Sequence, residues 1–499
     1  MRRRQLSMSL CLSLICSLVL ILPARGIVQA APAAAPAAVE IPDTPAGRFF
    51  AMWLEAINSG DREKIRSFQS HVSTEQDPEK RLERALSLRQ QTGGFELRKI
   101  ESSTSSEITG VVKEKNSERL ARFELSVSAT DPTRIENFGV ELIPPAATAN
   151  QPPAQRIPVK QLIDDVDSRL TRLSAEDKFS GTVLIAKDGK ILWQKAYGLA
   201  DRESKVSNNL ETRFRLGSMN KMFTSVAIAQ LVQQGKLKYT DTLAQVLPDY
   251  PNQEVAKKIT IDNLLTHTSG LGDFFGGEFD QKREQLHDLK DYLPLFSSKP
   301  LQFEPGKGWA YSNAGFLVLG LVIEKISGRN YYDYVKRHIY DVAGMKNSGS
   351  FPIADKVPNL AVGYMRDEDG GPLKPNTSTL PWRGSSAGGG DSTVGDLLKF
   401  DQALRGNRLI DPALTQTVVT GKVAPPRFPP GMKYAYGFGD KNSDEDRIVG
   451  HNGGSPGMNA QLDMHWNTGY TVIVLSNLDP PAATEWARYI SDRLPVGNH

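Results

Sequence analysis

The sequence predicts an α/β sandwich, an antiparallel sheet flanked by helices, preceded by a small α+β domain. Three observations predict it. Thr471-Val472-Ile473-Val474-Leu475 reads as a buried strand. Two more strands, around Thr182 to Ala186 and Ile191 to Tyr197, lie some 280 residues earlier with a long helical middle between, so one sheet is built from both ends of the unit. Nearer the N-terminus, helical spacing gives way to period-two alternation, the order expected of a separate α+β unit.

The first thirty residues stand apart. Arg2, Arg3 and Arg4 precede an apolar run from Leu10 to Leu22, followed by Val28-Gln29-Ala30, the pattern of a signal peptide cleaved after Ala30. About thirteen residues are too few to cross a ~30 Å hydrocarbon core as a helix, which makes a retained anchor the weaker reading. Both cysteines, Cys11 and Cys16, fall inside this leader, so an exported product has no thiol, disulfide or thiolate metal site. Ser13-Leu14-Ile15 lacks the small residues of a lipid-attachment site at Cys16. The formal charge of +3 is also partly the leader's. Removing its four arginines from 60 basic residues leaves 56 against 57 acids, a net charge of −1, which predicts no nucleic-acid partner.

Residues 31–45, rich in Ala and Pro, read as a tether. Order is expected from Ala46, where Phe49, Phe50, Trp53, Leu54 and Ile57 have helical spacing up to Asn58-Ser59-Gly60-Asp61. A second helix is expected from Asp77-Pro78 to Gly93-Gly94. From 95 to 143, Ala121, Phe123, Leu125 and Val127, then Phe138, Val140 and Leu142, alternate with polar residues as in an antiparallel meander. The layout of 46–143 resembles the cystatin-like cone of the nuclear-transport-factor and polyketide-cyclase-like families. No convergent polar set accompanies it, so it is assigned no chemistry and reads as a structural or docking module for a partner or a second copy. Five prolines between Pro144 and Pro158 make a linker and a domain boundary. The unit 159–499 opens with a helix near 159–174 and closes with one near Ala482 to Leu494.

Chemistry concentrates in that second unit. Ser218-Met219-Asn220-Lys221 is the only Ser-x-x-Lys, and Met222, Phe223, Val226, Ala227, Ile228, Leu231 and Val232 make the following helix apolar around most of its circumference. Three residues of separation put hydroxyl and ammonium one turn apart on one face, beside the positive helix N-terminus. A partly desolvated lysine then acts as a base or keeps a neighbouring base deprotonated. Alone, the motif fits a helix-capping serine with a solvated lysine equally well.

Tyr311-Ser312-Asn313 follows Glu304-Pro305-Gly306 and precedes the apolar run Phe316 to Ile323. Its phenol suits proton transfer to a leaving group, and its amide suits binding a substrate carbonyl. Tyr250-Pro251-Asn252 spells the same pattern in what looks like an exposed turn. His451-Asn452-Gly453-Gly454 is the only His-x-Gly; its glycines allow a substrate backbone to lie along a strand edge, with the amides of Ser218 and Gly454 as an oxyanion hole. The rival reading of His451 is a structural turn histidine.

In this chain order the three motifs resemble the serine β-lactamase and D-Ala-D-Ala peptidase superfamily, particularly its class C and carboxypeptidase-esterase branch. Leu264-Leu265-Thr266-His267-Thr268-Ser269-Gly270-Leu271, the stretch from Glu304 to Gly315, and Gly388-Gly389-Gly390-Asp391-Ser392-Thr393 extend the likeness over about 160–495. The resemblance implies a β-lactamase/transpeptidase-like fold and acyl-enzyme hydrolysis of a small-molecule or peptide substrate. It implies Ser218, Lys221 and Tyr311 as catalytic residues, Asn313, His451 and Gly453 as substrate-binding residues, Ser218 and Gly454 as oxyanion donors, and neither cofactor nor metal. His267 reads as a turn residue, and the glycine run 388–390 as serving a helix entry at Val394 rather than a phosphate. Many β-lactamases carry Lys-Thr-Gly where this chain has His-Asn-Gly, which favours a D-peptidase or esterase over β-lactam destruction. The alternative from another class is a non-catalytic envelope protein that holds peptide or peptidoglycan.

Overall fold

The computed structural model describes residues 39–72, 78–115, 120–128, 131–142, 154–366, 371–425, 428–429, 431–443 and 445–496. The leader, most of the tether, the cysteines and most of the Pro-rich linker lie outside the described residues. No described helix is long and apolar enough to cross a membrane.

In the N-terminal unit the Thr44 hydroxyl accepts from Gly47 N (3.0 Å) and starts α1 (Pro45–Ser59), which Gly60, at φ 68°, ends. Asp61 then caps α2 (Arg62–Ser70), accepting from Glu63 N and Lys64 N at 2.8 and 3.2 Å. That helix was not expected. Its polar sequence buries only Ile65 and Phe68, too little apolar spacing to announce a helix. After α3 (Pro78–Thr92) come β1 (Phe95–Ser103), β2 (Glu107–Glu114), β3 (Leu120–Val127) and β4 (Ile135–Leu142), paired antiparallel in sequence order. α1 lies on this sheet with the Phe50 ring stacked on Phe123 (3.7 Å) and Trp53 against Phe95 and Phe138.

The second unit begins with α4 (Val159–Ala175), then β5 (Gly181–Lys187) and β6 (Lys190–Tyr197). The remaining strands come from the far end of the chain: β7 (Met432–Tyr434), β8 (Gly439–Asn442), β9 (Arg447–Ser455), β10 (Met458–His465) and β11 (Tyr470–Ser476). They form one seven-stranded antiparallel sheet in the order β7-β8-β9-β10-β11-β5-β6. The near-continuous apolar sequence of β5 and β11 follows from layers on both faces. Val183, Ile185, Val472 and Val474 pack with Leu162, Val166 and Leu170 of α4 and with Ala487 and Ile490 of the last helix, α8 (Ala482–Ser491). Leu184, Ala186, Ile473 and Leu475 turn instead toward the helical core.

That core is organised around α5 (Asn220–Gln233), every residue of which from Asn220 to Leu231 is buried. Its neighbours include α6 (Asn313–Ser327) and α7 (Val394–Arg405). Thr393 caps α7, accepting from Asp396 N at 3.1 Å, so the glycine run does lead into a helix at Val394. Phe223 stands edge-on between Tyr340 (5.2 Å) and Phe400 (4.9 Å) with no solvent exposure. Truncating it leaves a cavity that three helices frame. Phe223→Ala is expected to lose about 3–5 kcal/mol of unfolding free energy in urea; a loss below about 1 kcal/mol would show that the core collapses around the gap.

Candidate active site

Ser218 sits in a short 3₁₀ turn, Gly217–Met219, that runs directly into α5. The turn is clamped on two sides. Leu216 N donates to Gly390 O (2.7 Å) and Gly389 N to Gly217 O (3.1 Å), which fastens it to the glycine run; Asp391 and Ser392 pair with Arg215 and Phe214 just beyond. On the other side lies β9. β8 pairs with β9 only over Arg447–Gly450, whereas β10 pairs with it as far as Ser455, so one edge of His451–Ser455 is left without a strand partner. The serine turn abuts that segment so closely that a methyl on Gly453 would lie 1.8 Å from Leu216 O and 2.8 Å from Ser218 N. A methyl on Gly217, at φ 52°, would lie 2.8 Å from Gly454 N. Both positions need glycine, one for close approach and the other for that and its backbone conformation. The contact sets the main chain of Gly453 and Gly454 directly against the turn that carries Ser218.

Lys221 is fully buried one helical turn on. Its Nζ lies 3.2 Å from Ser218 Oγ, 2.7 Å from Asn313 Oδ1 and 2.6 Å from Ala387 O, with the faces of Tyr311 and Phe316 4.7 and 5.4 Å away. Burial brings its pKa down to about 7, against a smaller upward pull from Asp273. Near neutral pH the amine is therefore partly unprotonated. Its two N–H bonds then satisfy the two shorter acceptors and its lone pair faces the Ser218 hydroxyl.

Tyr311 lies in the loop before α6. The residue is 37 % exposed, but its hydroxyl is buried beside the Ser218 side chain. Burial holds this phenol above its ordinary pKa, with the Ser218 contact opposing, so it stays protonated at neutral pH. Asn313 opens α6, which Ser312 caps by accepting from Gly315 N (3.0 Å). With Oδ1 on Lys221, the Asn313 amide gives one N–H of Nδ2 to Asp273 Oδ2 (2.7 Å) and keeps the other.

His451 is held differently from what its motif suggests. It is buried, with Nε2 3.1 Å from the Tyr434 hydroxyl and Nδ1 on the carbonyl of Asn452, so no ring nitrogen is open to a substrate group while those bonds stand. Burial, then the nearby Lys221, lowers its pKa to about 4. His267, expected as a turn residue, does take φ 61°, yet its buried ring lies inside the site, 4.3 Å from the ring of Tyr311. Tyr250-Pro251-Asn252 lies elsewhere, with Asn252 capping a short helix through Val255 N (3.1 Å).

The structure thus gathers Ser218, Lys221, Tyr311, Asn313, His451, Gly453 and Gly454 and adds Asp273, His267, Tyr434 and the Ala387 carbonyl. Asp273 lies two residues past the Leu264–Leu271 segment and carries no spacing signal; only the amide it holds gives it meaning. Tyr434 belongs to no motif.

The beta-lactamase family model matches residues 166–494, two thirds of the chain. The chain belongs to the beta-lactamase family. Penicillin-binding protein 4* of Bacillus subtilis is 32 % identical over 336 residues, 63 % of this chain and 72 % of that protein. Esterase EstB of Burkholderia gladioli is 33 % identical over 217 residues, 41 % of this chain and 55 % of the esterase. The crystal structure of a penicillin-binding protein from Bacillus halodurans, 34 % identical, superposes with a TM-score of 0.58 over 64 % of this chain and 99 % of that one. The second unit is a β-lactamase/transpeptidase-like fold, and the chain is a β-lactamase-related serine hydrolase.

Among the described glycines, Gly453 has the nearest obstacle to an added methyl, the Leu216 carbonyl oxygen at 1.8 Å, a main-chain atom that cannot swing aside as a side chain would. Gly453→Ala is expected to lower kcat on an activated ester by about 10²-fold or more through displacement of the serine turn, with the far-ultraviolet circular dichroism unchanged. Wild-type turnover would show that β9 and the turn are not appressed in solution.

Proposed function

We propose that Ser218 is the nucleophile of an acyl-enzyme hydrolase acting on a D-amino-acid amide or peptide, or on an ester, in preference to β-lactams. The observation that carries this reading is the buried Lys221 amine, with two carbonyl acceptors on its N–H bonds and its third contact on the serine hydroxyl. Ser218 Oγ attacks the substrate carbonyl and its proton passes to Lys221. The amides of Ser218 and Gly454 hold the oxyanion, where one donor is typically worth about 10²–10³ in rate. Tyr311, a neutral phenol in contact with Ser218, carries a proton to the leaving nitrogen or oxygen. Water then attacks the ester formed at Ser218, the proton path runs in reverse, and the acyl group leaves as its acid.

Base and acid divide between Lys221 and Tyr311 because burial acts oppositely on the two: it favours the uncharged form of each, a free amine on one and an intact phenol on the other. The free N–H of Asn313 and the open edge of β9 are proposed to orient the substrate backbone. The preference against β-lactams rests on the third motif, where a buried neutral imidazole stands in place of a lysine that would attract the antibiotic's carboxylate. The leader motif supports export to the periplasm or beyond, and the N-terminal unit is proposed as a docking module without chemistry of its own.

Two measurements test this. Because Lys221 must be an amine to accept the proton, kcat/KM is expected to rise with pH through about 7 and level off above it; a profile flat from pH 5 to 9 would remove Lys221 as the base. Intact mass after incubation with a penicillin, and separately with an activated ester, is expected to show an acyl adduct or turnover on the wild type and neither on Ser218→Ala, with ester turnover reduced at least about 10³-fold. Retained turnover in Ser218→Ala would overturn the assignment, and a wild type inert to both reagents would favour a binding protein.

A further inference from the structure

We propose that Tyr434 is a positioning residue of this site: its hydroxyl, seated between two buried imidazoles, fixes the tautomers of His267 and His451 and ties the Tyr-x-Asn loop to the His-x-Gly strand. The inference rests on the acyl-transfer reading of Ser218 for its catalytic consequence, but not for its geometry.

The geometry is a single directed chain of hydrogen bonds. Ser312 N lies 3.1 Å from His267 Nδ1, and a main-chain N–H can only donate, so Nδ1 accepts and the ring proton of a neutral His267 is on Nε2. That Nε2–H donates to the Tyr434 oxygen at 3.0 Å. The one hydroxyl proton of Tyr434 is then free to go to His451 Nε2 at 3.1 Å. With Nε2 accepting, the ring proton of His451 is on Nδ1, where it donates to the carbonyl of Asn452, a group that can only accept. An obligate donor starts the chain and an obligate acceptor ends it. Each link in between carries one proton, and no second arrangement satisfies every atom.

This device also excludes charge. All three side chains are buried. A second proton on His267 would set Nδ1–H against the N–H of Ser312. A second proton on His451 would set Nε2–H against the Tyr434 hydroxyl proton, and a hydroxyl turned to accept from both rings would lose the acceptor of its own proton. The groups facing the two rings give no reason for charge either. They are Lys221 from α5, Tyr311 and Trp309 from the loop before α6, Phe316 of α6 itself, and Tyr434 from β7; none of these is a carboxylate. Lys221 is thereby left as the group of the cluster that exchanges a proton in the working pH range. The chain is mechanical as well as electrostatic. It starts on the residue between Tyr311 and Asn313 and ends on the residue between His451 and Gly453, so it spaces the proton-transfer loop against the strand that meets Ser218.

Long-range ¹H–¹⁵N correlation spectra of the full-length protein labelled with ¹⁵N-histidine test the geometry without any substrate. His267 is expected to carry its proton on Nε2 and His451 on Nδ1, both neutral at pH 6; the opposite tautomer at either ring, or a charged ring at that pH, would overturn the proposal. Tyr434→Phe is expected to lower kcat by about 10²-fold with little change in KM, and to add a second ionisation to the acid limb of kcat as His451 Nε2 becomes free to take a proton. Tyr436→Phe is the matched control, since it removes a buried hydroxyl from the same segment that bonds Asp262 instead and should leave kcat and its profile as in the wild type. A folded Tyr434→Phe protein with wild-type kcat and pH profile would overturn the positioning role. Should that variant not fold, the wild-type tautomers decide the question. Failure of the acyl-transfer reading looks different: no Ser218 adduct and no turnover in the wild type, whatever the tautomers are.

Discussion

The site depends on the burial of one amine. A lysine side chain taken out of water is costly as a cation, and α5, buried on every side over its first three turns, offers Lys221 no path back to solvent. The cost is met by giving each N–H an acceptor. One is the Asn313 side chain, the other the carbonyl of Ala387, and both reach α5 from distant parts of the chain. Much of what looks like incidental loop structure follows from this requirement. The turn at 385–388 carries the Ala387 carbonyl to the helix and is held there by Asn220 and Thr224, which donate to the carbonyls of Ser385 and Ser386. Asp273 holds the amide of Asn313 so that its oxygen, rather than its nitrogen, faces Lys221.

A second constraint is where the sheet stops. Closing β8 along the whole of β9 would pair the His451–Ser455 edge and leave no room for the serine turn. By ending the pairing at Gly450, the fold keeps that segment open while β10 supports it from behind. The helical layer then delivers Ser218 against Gly453 and Gly454. Ser218, Lys221 and the main chain of Gly453 and Gly454 are thus fixed relative to one another by rigid elements, two of them separated by more than 230 residues of sequence. Preorganisation of this kind needs few side chains, since glycine, by its lack of one, sets the closest distance.

What the sequence made legible follows the strength of each physical signal. α5 and the strands β5 and β11 were readable because burial on all sides makes their sequences predominantly apolar, and the motifs around Ser218, Tyr311 and His451 were readable because their spacing is tied to a helix start, a loop and a strand. α2 was not readable, since two buried residues make no period. Asp273 and Tyr434 were invisible for another reason. Each acts on a partner remote in sequence, Asn313 at 40 residues for the one, His267 at 167 for the other, and local pattern carries no trace of such a partner. His267 was legible as a turn from its Ser-Gly setting, and it is one, but its ring serves the site.

The histidine in the third motif gains sense from these constraints taken together. A lysine there would place a second ammonium close to Lys221, and each charge would raise the cost of the other. A neutral imidazole, locked by its neighbours, avoids that repulsion and lets the strand carry its polar contacts through main-chain groups instead. Lys221 can then change protonation without a competing cation beside it. The imidazole at this position therefore shapes the proton inventory of the site.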